Sequence, residues 1–292
     1  MYLKDMLKKG INILKNTGIE TPEIDAGVIL CRVLDCDRTF IYAHGDNIIS
    51  DSDNNLYMEF IDRRVRREPL QYITGWQEFM SLEFSVRPGV LIPRQDTETL
   101  VEAVMDYVVK NSNKNLNTLP GSEIRILDMC TGSGCIAVSL AYYIHNCLVT
   151  AADLSDIALE TAKQNAVLNG VEKKIEFTSG NLFEALNNIC CKFDIIVSNP
   201  PYITENEIPL LKSEIKDYEP ITALNGGNDG LSFYRTITRD SVQYLKKDGI
   251  LAFEVGYNQA GDVIRLMSGF GFRTWTVRDL SGIDRVVLGR EG

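Results

Sequence analysis

Ile124-Arg-Ile-Leu-Asp128-Met-Cys-Thr-Gly132-Ser-Gly134-Cys135-Ile136 decides the architecture of this chain. An apolar strand ends at Asp128, a turn with two glycines follows, and residues 135–144 read as a helix. Gly132 and Gly134 let the backbone turn tightly and approach a ligand with no Cβ in the way. Outward from this unit, short apolar strands are predicted at 147–152, 174–178, 193–198, 250–255, 272–277 and 284–288. Helices are predicted at 155–168, 232–245 and 259–268, between the strands. Strands alternating with helices of this length imply an α/β fold, an open and mostly parallel sheet of seven strands with helices on both faces. Ligands of such sheets bind beyond the carboxyl ends of the strands. A G-x-G by itself is also a plain strand–helix turn. The third glycine of the dinucleotide fingerprint is missing, with Ala137 and Val138 in its place, and no Gly-Lys-Ser/Thr of a phosphate loop follows.

The stretch before this domain is helical. Leu3, Leu7, Ile11 and Leu14 share a helical face, and Gly18 ends it. Thr21-Pro22-Glu23 begins a second helix with Thr as cap, and another holds Leu56, Tyr57, Phe60, Ile61 and Val65 before Pro69. Arg63, Arg64, Arg66 and Arg67 form a basic cluster, readable as a solvated face or as a contact to an acidic partner. From Leu70 to Ile92 the pattern is strand-like, and Pro88-Gly89 supplies a turn, so a β-hairpin is expected to link two domains. Asp96 is expected to cap a helix to about residue 110, and 111–122 reads as a loop. The expected division is a helical domain at 1–70, a hairpin linker at 71–93 and the α/β domain at 94–292.

Composition narrows the chemistry. The 292 residues include 40 Asp plus Glu against 30 Lys plus Arg, a net charge of −10. That balance argues against a nucleic-acid binder, which needs clustered basic residues to neutralise phosphates. Two histidines leave little room for a histidine base. Seven cysteines, an odd number without C-x-x-C, read as reduced thiols, and no metal is expected. No apolar run reaches membrane-spanning length and the first residues lack a signal core, so a cytoplasmic protein is expected.

Three further segments carry chemistry. Asp153 ends the second strand, about 20 residues past the glycines, where an acid can accept from both hydroxyls of a ribose; a helix-capping role is the alternative. Asn181 and Leu182 follow the third strand, where an amide can bond an adenine edge and an apolar side chain can flank its ring. Asn199-Pro200-Pro201-Tyr202 stands directly after the fourth strand. Its two prolines fix two φ angles, so the chain leaves the sheet along a stiff path suited to holding a planar group. The Asn199 side-chain carbonyl and the Pro200 carbonyl can together accept two N–H bonds from one NH₂ group, and Tyr202 can lie on a planar face.

Glycine turn, ribose acid and Asn-Pro-Pro-Tyr in this order resemble the S-adenosylmethionine-dependent methyltransferases that modify amino groups conjugated to planar systems, both adenine N6 and glutamine N5. Pro69-Leu-Gln-Tyr-Ile-Thr-Gly75, Arg87 through Glu98, Glu219-Pro220 through Leu231, and Asp279…Gly282…Asp284-Arg285 narrow the resemblance to the peptide chain release factor glutamine methyltransferases, the HemK/PrmC family. It covers nearly the whole chain. The resemblance implies a Rossmann-like class I methyltransferase domain preceded by a small helical domain that recognises the substrate. It implies S-adenosylmethionine as cofactor, S-adenosylhomocysteine as product, and class 1 release factors as protein partners. Cofactor binding then falls to Cys130, Thr131, Gly132, Ser133, Gly134, Asp153, Asn181, Leu182 and Asn199. Catalysis falls to Asn199, Pro200 and Tyr202. Substrate binding falls to those three with Pro201 and Arg94, for which a helix-end salt bridge to Asp96 or Glu98 is the alternative. The family often has Gly in place of Cys130 and Asp in place of Asn181. A ribosomal-protein glutamine or a DNA adenine is the competing substrate. The acidic balance and the lack of a base-reading domain weigh against DNA, the intact Asn199 and Asp153 against a non-catalytic binding module, and the missing third glycine against a nucleotide-dependent oxidoreductase.

Overall fold

The computed structural model describes residues 1–111, 123–187 and 191–292. The expected loop at 111–122 lies outside the described residues apart from Asn111, and so does Cys190. The chain divides into one unit of Met1–Trp76 with Lys212–Tyr218, and another of Gln77–Leu211 with Glu219–Gly292.

The first unit contains α1 (Leu3–Asn16), α2 (Pro22–Leu34), α3 (Arg38–Ala43), α4 (Asp51–Val65) and α5 (Leu70–Thr74). Leu3, Met6 and Leu14 of α1 pack with Ile29, Leu30, Tyr57 and Ile61. The buried stripe is thus rotated from the expected one: Met6 and Gly10 are buried, while Leu7 and Ile11 flank them. Gly10 is needed because any Cβ there would collide with the buried Tyr57 ring. Thr21 precedes α2 as expected, but its hydroxyl donates to Asp25 (2.8 Å) instead of capping the backbone. Two expectations are corrected. Residues 70–74 form a helical turn, not a strand, bounded by Pro69 and by Gly75 at φ +83°. Three of the four clustered arginines are drawn into the unit instead of forming a solvated face, and Arg66 stays exposed. Arg64 donates to Asp25 (2.7 Å), Arg64 and Arg67 reach Glu214 (3.4 and 3.5 Å), Arg63 holds Glu68 (2.5 Å), and Arg66 pairs with Asp62.

The hairpin of β1 (Trp76–Phe79) and β2 (Leu82–Ser85) lies in the second unit from Gln77 onward, and α6 (Gln95–Asn111) follows. β3 (Ile124–Met129), α7 (Cys135–Tyr143), β4 (Cys147–Asp153), α8 (Asp156–Leu168), β5 (Ile175–Ser179) and β6 (Phe193–Ser198) follow in alternation. After α9 (Ser213–Lys216), which belongs to the first unit, come α10 (Ser232–Tyr244), β7 (Leu245–Glu254), α11 (Ala260–Gly269), β8 (Phe272–Arg278) and β9 (Asp284–Glu291). Apart from the hairpin pair, seven strands among the described residues form one sheet in the order β5-β4-β3-β6-β7-β9-β8. β9 is antiparallel to both neighbours and the other pairings are parallel. The fold is the expected α/β one, with β7 beginning at Leu245, where the expected helix would still be running.

Side chains alternate across the sheet with period two. Ile126, Val149, Ile195, Ile250 and Leu288 face one core with α6, α7 and the hairpin, where Phe79 meets Phe84 edge-on at 5.9 Å. Leu127, Met129, Ile196, Leu251 and Phe253 face the other core with Tyr234, Ile237, Val263 and Met267 of α10 and α11. With both faces covered, the central strands are largely apolar, whereas the outer β5 and β8 carry exposed residues among buried ones. No helix among the described residues is long and apolar enough to cross a membrane.

Candidate active site

At the carboxyl edge of the sheet the parallel registers bring Met129, Ala152 and Ser198 level, with Asp153 one step beyond. A cavity of about 570 Å³ opens there. Its walls include Arg94, Thr97, Cys130, Thr131, Gly132, Ser133, Asp153, Asn181, Leu182, Asn199 and Pro201. Sequence positions more than a hundred residues apart thus meet in one space. Gly134, Pro200 and Tyr202 do not line it.

The turn after β3 is held by two carboxylates. Asp128, fully buried, accepts from the Thr131 hydroxyl (2.6 Å) and the Ala137 N–H (3.2 Å). Asp153 accepts from the Gly132 N–H (2.8 Å) through one oxygen and from the Ser155 N–H (2.9 Å) through the other. Ser155, not Asp153, caps α8, with its hydroxyl accepting from the Ala158 N–H. Each Asp153 oxygen keeps lone-pair capacity for a further donor. Gly134 serves packing: a Cβ would lie 2.8 Å from that of Ala162. Cys130 stands at φ +64°, the left-handed region, where a side chain costs about 1–2 kcal/mol. That is a backbone reason for glycine at this position. Asn165, fully buried and not foreseen from the sequence, donates to Ser133 O (2.8 Å) and Ser85 O (3.1 Å), tying the turn to the hairpin.

Burial pushes the Asp128 carboxyl up to about 7. A carboxyl raised on folding makes the native state bind more protons than the unfolded one, so its contribution to stability is full at low pH and is lost as the pH climbs to about 7. Asp128→Asn should therefore show a flatter fall of melting temperature than wild type between acid and neutral pH. Parallel curves would mean that Asp128 titrates normally.

Beyond β6, the Asn199 side-chain NH₂ donates to the Thr97 hydroxyl (3.2 Å). Tyr202 turns away from the cavity lining: its hydroxyl donates to Glu254 (3.4 Å), and its backbone carbonyl accepts from Gln259 (2.9 Å). The segment after α9 lies along this turn, with Ile203 N–H on Leu224 O (2.9 Å) and Gly226 N–H on Ile203 O (2.8 Å). A Cβ on Gly226 would sit 2.7 Å from the Tyr202 Cα, which accounts for that glycine. The same segment brings buried Glu219 to Arg94, an ion pair at the cavity wall. Neither expected helix-end partner takes Arg94: Asp96 pairs with Arg285 (3.1 Å), and Glu98 accepts from the Met80 N–H (2.6 Å). Asp96 lies in the first turn of α6, not at its cap.

Thr97 and Glu219 stand in segments that carry the family resemblance but had no role assigned, and Glu254 and Gln259 were not singled out by the sequence. Glu254 and Gln259 sit in an ordinary strand end and helix start, with no local pattern to mark them. No group of three or more His, Cys, Asp or Glu able to hold a metal occurs among the described residues.

Comparison with known proteins places the chain by similarity. Residues 5–75 match the family model described as PrmC N-terminal domain, and residues 105–214 match Methyltransferase small domain. The chain is 41% identical over its whole length to the release factor glutamine methyltransferase of Clostridium acetobutylicum, covering 99% of that protein. It is 38% identical to that of Clostridium botulinum, with both chains fully covered. A methyltransferase from Pyrococcus furiosus, 16% identical with a TM-score of 0.51 over 73% of this chain and 91% of that one, shares the fold. With full-length identity at this level, the chain belongs to the release factor glutamine methyltransferase family.

Proposed function

We propose that this chain transfers a methyl group from S-adenosylmethionine to the side-chain amide nitrogen (N5) of a glutamine in a protein, the Gly-Gly-Gln motif of class 1 peptide chain release factors. The observation that carries the reading is one cavity in which the Asp153 carboxylate and glycine turn share walls with Asn199. The donor set suits the cofactor: a carboxylate for a ribose diol, Asn181 for an adenine edge, and Leu154, Leu182 and Phe233 as apolar walls for the ring. When bound, S-adenosylmethionine supplies an electrophilic methyl on a sulfonium and is left as S-adenosylhomocysteine.

The protein's part is positioning. An amide nitrogen is a poor nucleophile because its lone pair is delocalised into the carbonyl. Asn199 Oδ1, which lines the cavity, accepts from the glutamine NH₂, stabilises charge growing on nitrogen and aims its lone pair at the methyl, and the carbonyl of Pro200, outside that lining, is proposed as the second acceptor. Pro201 closes the wall beside them, and Arg94, held by Glu219, stands at the mouth. Tyr202 supports the turn from beneath through its contacts with Glu254 and Gln259. The N-terminal helical unit is proposed to recognise the body of the release factor, in the cytoplasm where translation ends.

Incubation with labelled S-adenosylmethionine and, separately, a class 1 release factor, a ribosomal protein mixture and duplex DNA tests the reading. Label on the release-factor glutamine is expected, and label confined to either of the others overturns it. On the cofactor side, Asp153→Ala should weaken S-adenosylmethionine by roughly 10–150-fold, the range for losing hydrogen bonds to a charged group. Unchanged calorimetric affinity in the folded variant removes Asp153 from the site.

A further inference from the structure

Pro200 and Pro201 have no backbone N–H, so that stretch of the Asn199–Tyr202 turn has no donor of its own with which to hold itself in place. Its exit is held from outside. The Tyr202 carbonyl and the Ile203 N–H belong to one peptide unit, and both are taken. The carbonyl accepts from the Gln259 side-chain NH₂ (2.9 Å), and the N–H donates to Leu224 O (2.9 Å). Gln259 is buried at the start of α11. Its NH₂ also donates to the Gly230 carbonyl (3.4 Å), and its Oε1 accepts from the Gly256 N–H (3.1 Å). One amide thus joins the segments after β6, before α10 and after β7. Gly230, from a segment that carries the family resemblance without an assigned role, makes room for it: a Cβ there would lie 2.5 Å from Gln259 Nε2 and 2.4 Å from the Tyr202 carbonyl oxygen.

We propose that Gln259 is a positioning residue for methyl transfer: by holding the Tyr202 carbonyl it fixes the exit of the Asn199–Tyr202 turn, and with it the direction in which Asn199 and the Pro200 carbonyl face the substrate amide. The surroundings select glutamine. They offer two carbonyl oxygens on one side and one N–H on the other. A glutamine amide carries two hydrogens on nitrogen and lone pairs on oxygen, and so satisfies all three. The reversed amide would set Oε1 against both carbonyls, which leaves one orientation. An ionised glutamate has the same shape but no hydrogen to give. It would still accept from Gly256, but it would leave the Tyr202 and Gly230 carbonyls unpaired in a buried place. The entry of the turn is fixed separately, by β6, where Ser198 registers with Met129 and Phe253. Without Gln259 the Tyr202–Ile203 peptide unit keeps only its bond to Leu224 and can rotate about it. A small displacement carried back to Asn199 costs turnover more than binding. This inference rests on the proposed role of the Asn199–Tyr202 turn.

The test uses the full-length protein with Gln259→Glu, which keeps the shape, and Gln259→Met, which removes all three bonds without adding a charge and keeps the test open if the buried carboxylate unfolds the chain. Both should lose roughly 10–100-fold in turnover, with KM for the release factor and affinity for S-adenosylmethionine within about threefold of wild type. A residue that only fills space predicts wild-type turnover in Gln259→Glu. One that only stabilises the fold predicts a loss that disappears when the variants are assayed well below their melting temperatures. A second readout needs no activity: in labelled protein the Ile203 N–H and the Asn199 side-chain NH₂ resonances should shift in both variants, although Gln259 does not touch Asn199. Turnover within about threefold of wild type in either folded variant, or unmoved Asn199 resonances, overturns the proposal. Wild-type protein that leaves the release factor unlabelled sinks the function instead, while the resonances still report whether Gln259 sets the turn.

Discussion

Asn199→Ala should lose about 10²–10³-fold in turnover while keeping most of its affinity for S-adenosylmethionine, the usual effect of deleting one preorganised electrostatic contact. Two interactions are separable here. Cofactor affinity is assigned mainly to Asp153 and the glycine turn, which share the cavity lining with Asn199. Asn199 is assigned to a group that becomes more positive as the methyl moves, so its removal raises the barrier more than it weakens the ground state. Asn199→Asp is expected to fall between wild type and Ala. A carboxylate still accepts from the glutamine, but it cannot donate to Thr97 as the amide does. If Asn199 only shaped the turn into the prolines, Ala would turn over within about threefold of wild type, and any loss would follow melting temperature. Single-turnover rates and melting curves of the three proteins, taken side by side, tell these apart.

The second large effect is on stability. Arg64→Ala should cost the N-terminal unit about 3–5 kcal/mol, the range for breaking a buried ion pair by removing one partner. The Asp25 side chain is 5% exposed and that of Arg64 11%, so neither charge has water to fall back on. Glu214, 150 residues along the chain, loses the same guanidinium. The pair is expected to be dispensable as a pair: Arg64→Met with Asp25→Leu should recover most of the loss, since apolar residues of similar volume avoid the desolvation of two ions. Chemical denaturation of the single and double variants decides it. A loss under about 1 kcal/mol for Arg64→Ala would mean the pair behaves as a solvated surface one.

Much of the second unit was legible before any coordinates. Strands buried on both faces appear as short apolar runs, the turn after β3 needs left-handed residues and shows glycines, and Asn199-Pro200-Pro201-Tyr202 is contiguous. Each is a local constraint on φ, burial or rigidity, and local constraints leave local patterns. The glycine turn, Asp153 and Asn199 were found in this way, and the fold gathers them around one cavity. The helical turn at Leu70–Thr74 was misread because five residues are too few to show a period, and its end is set by Gly75 at φ +83°. Only the tertiary structure could reveal that the arginines of α4 hold Asp25 and Glu214, because an arginine reads the same whether its counter-ion is solvent or a carboxylate far along the chain. The same holds for Thr97, Glu219 and Glu254. What marks them is charge or hydroxyl buried against distant strands, and burial is decided by the packing of the whole sheet, not by neighbours in sequence.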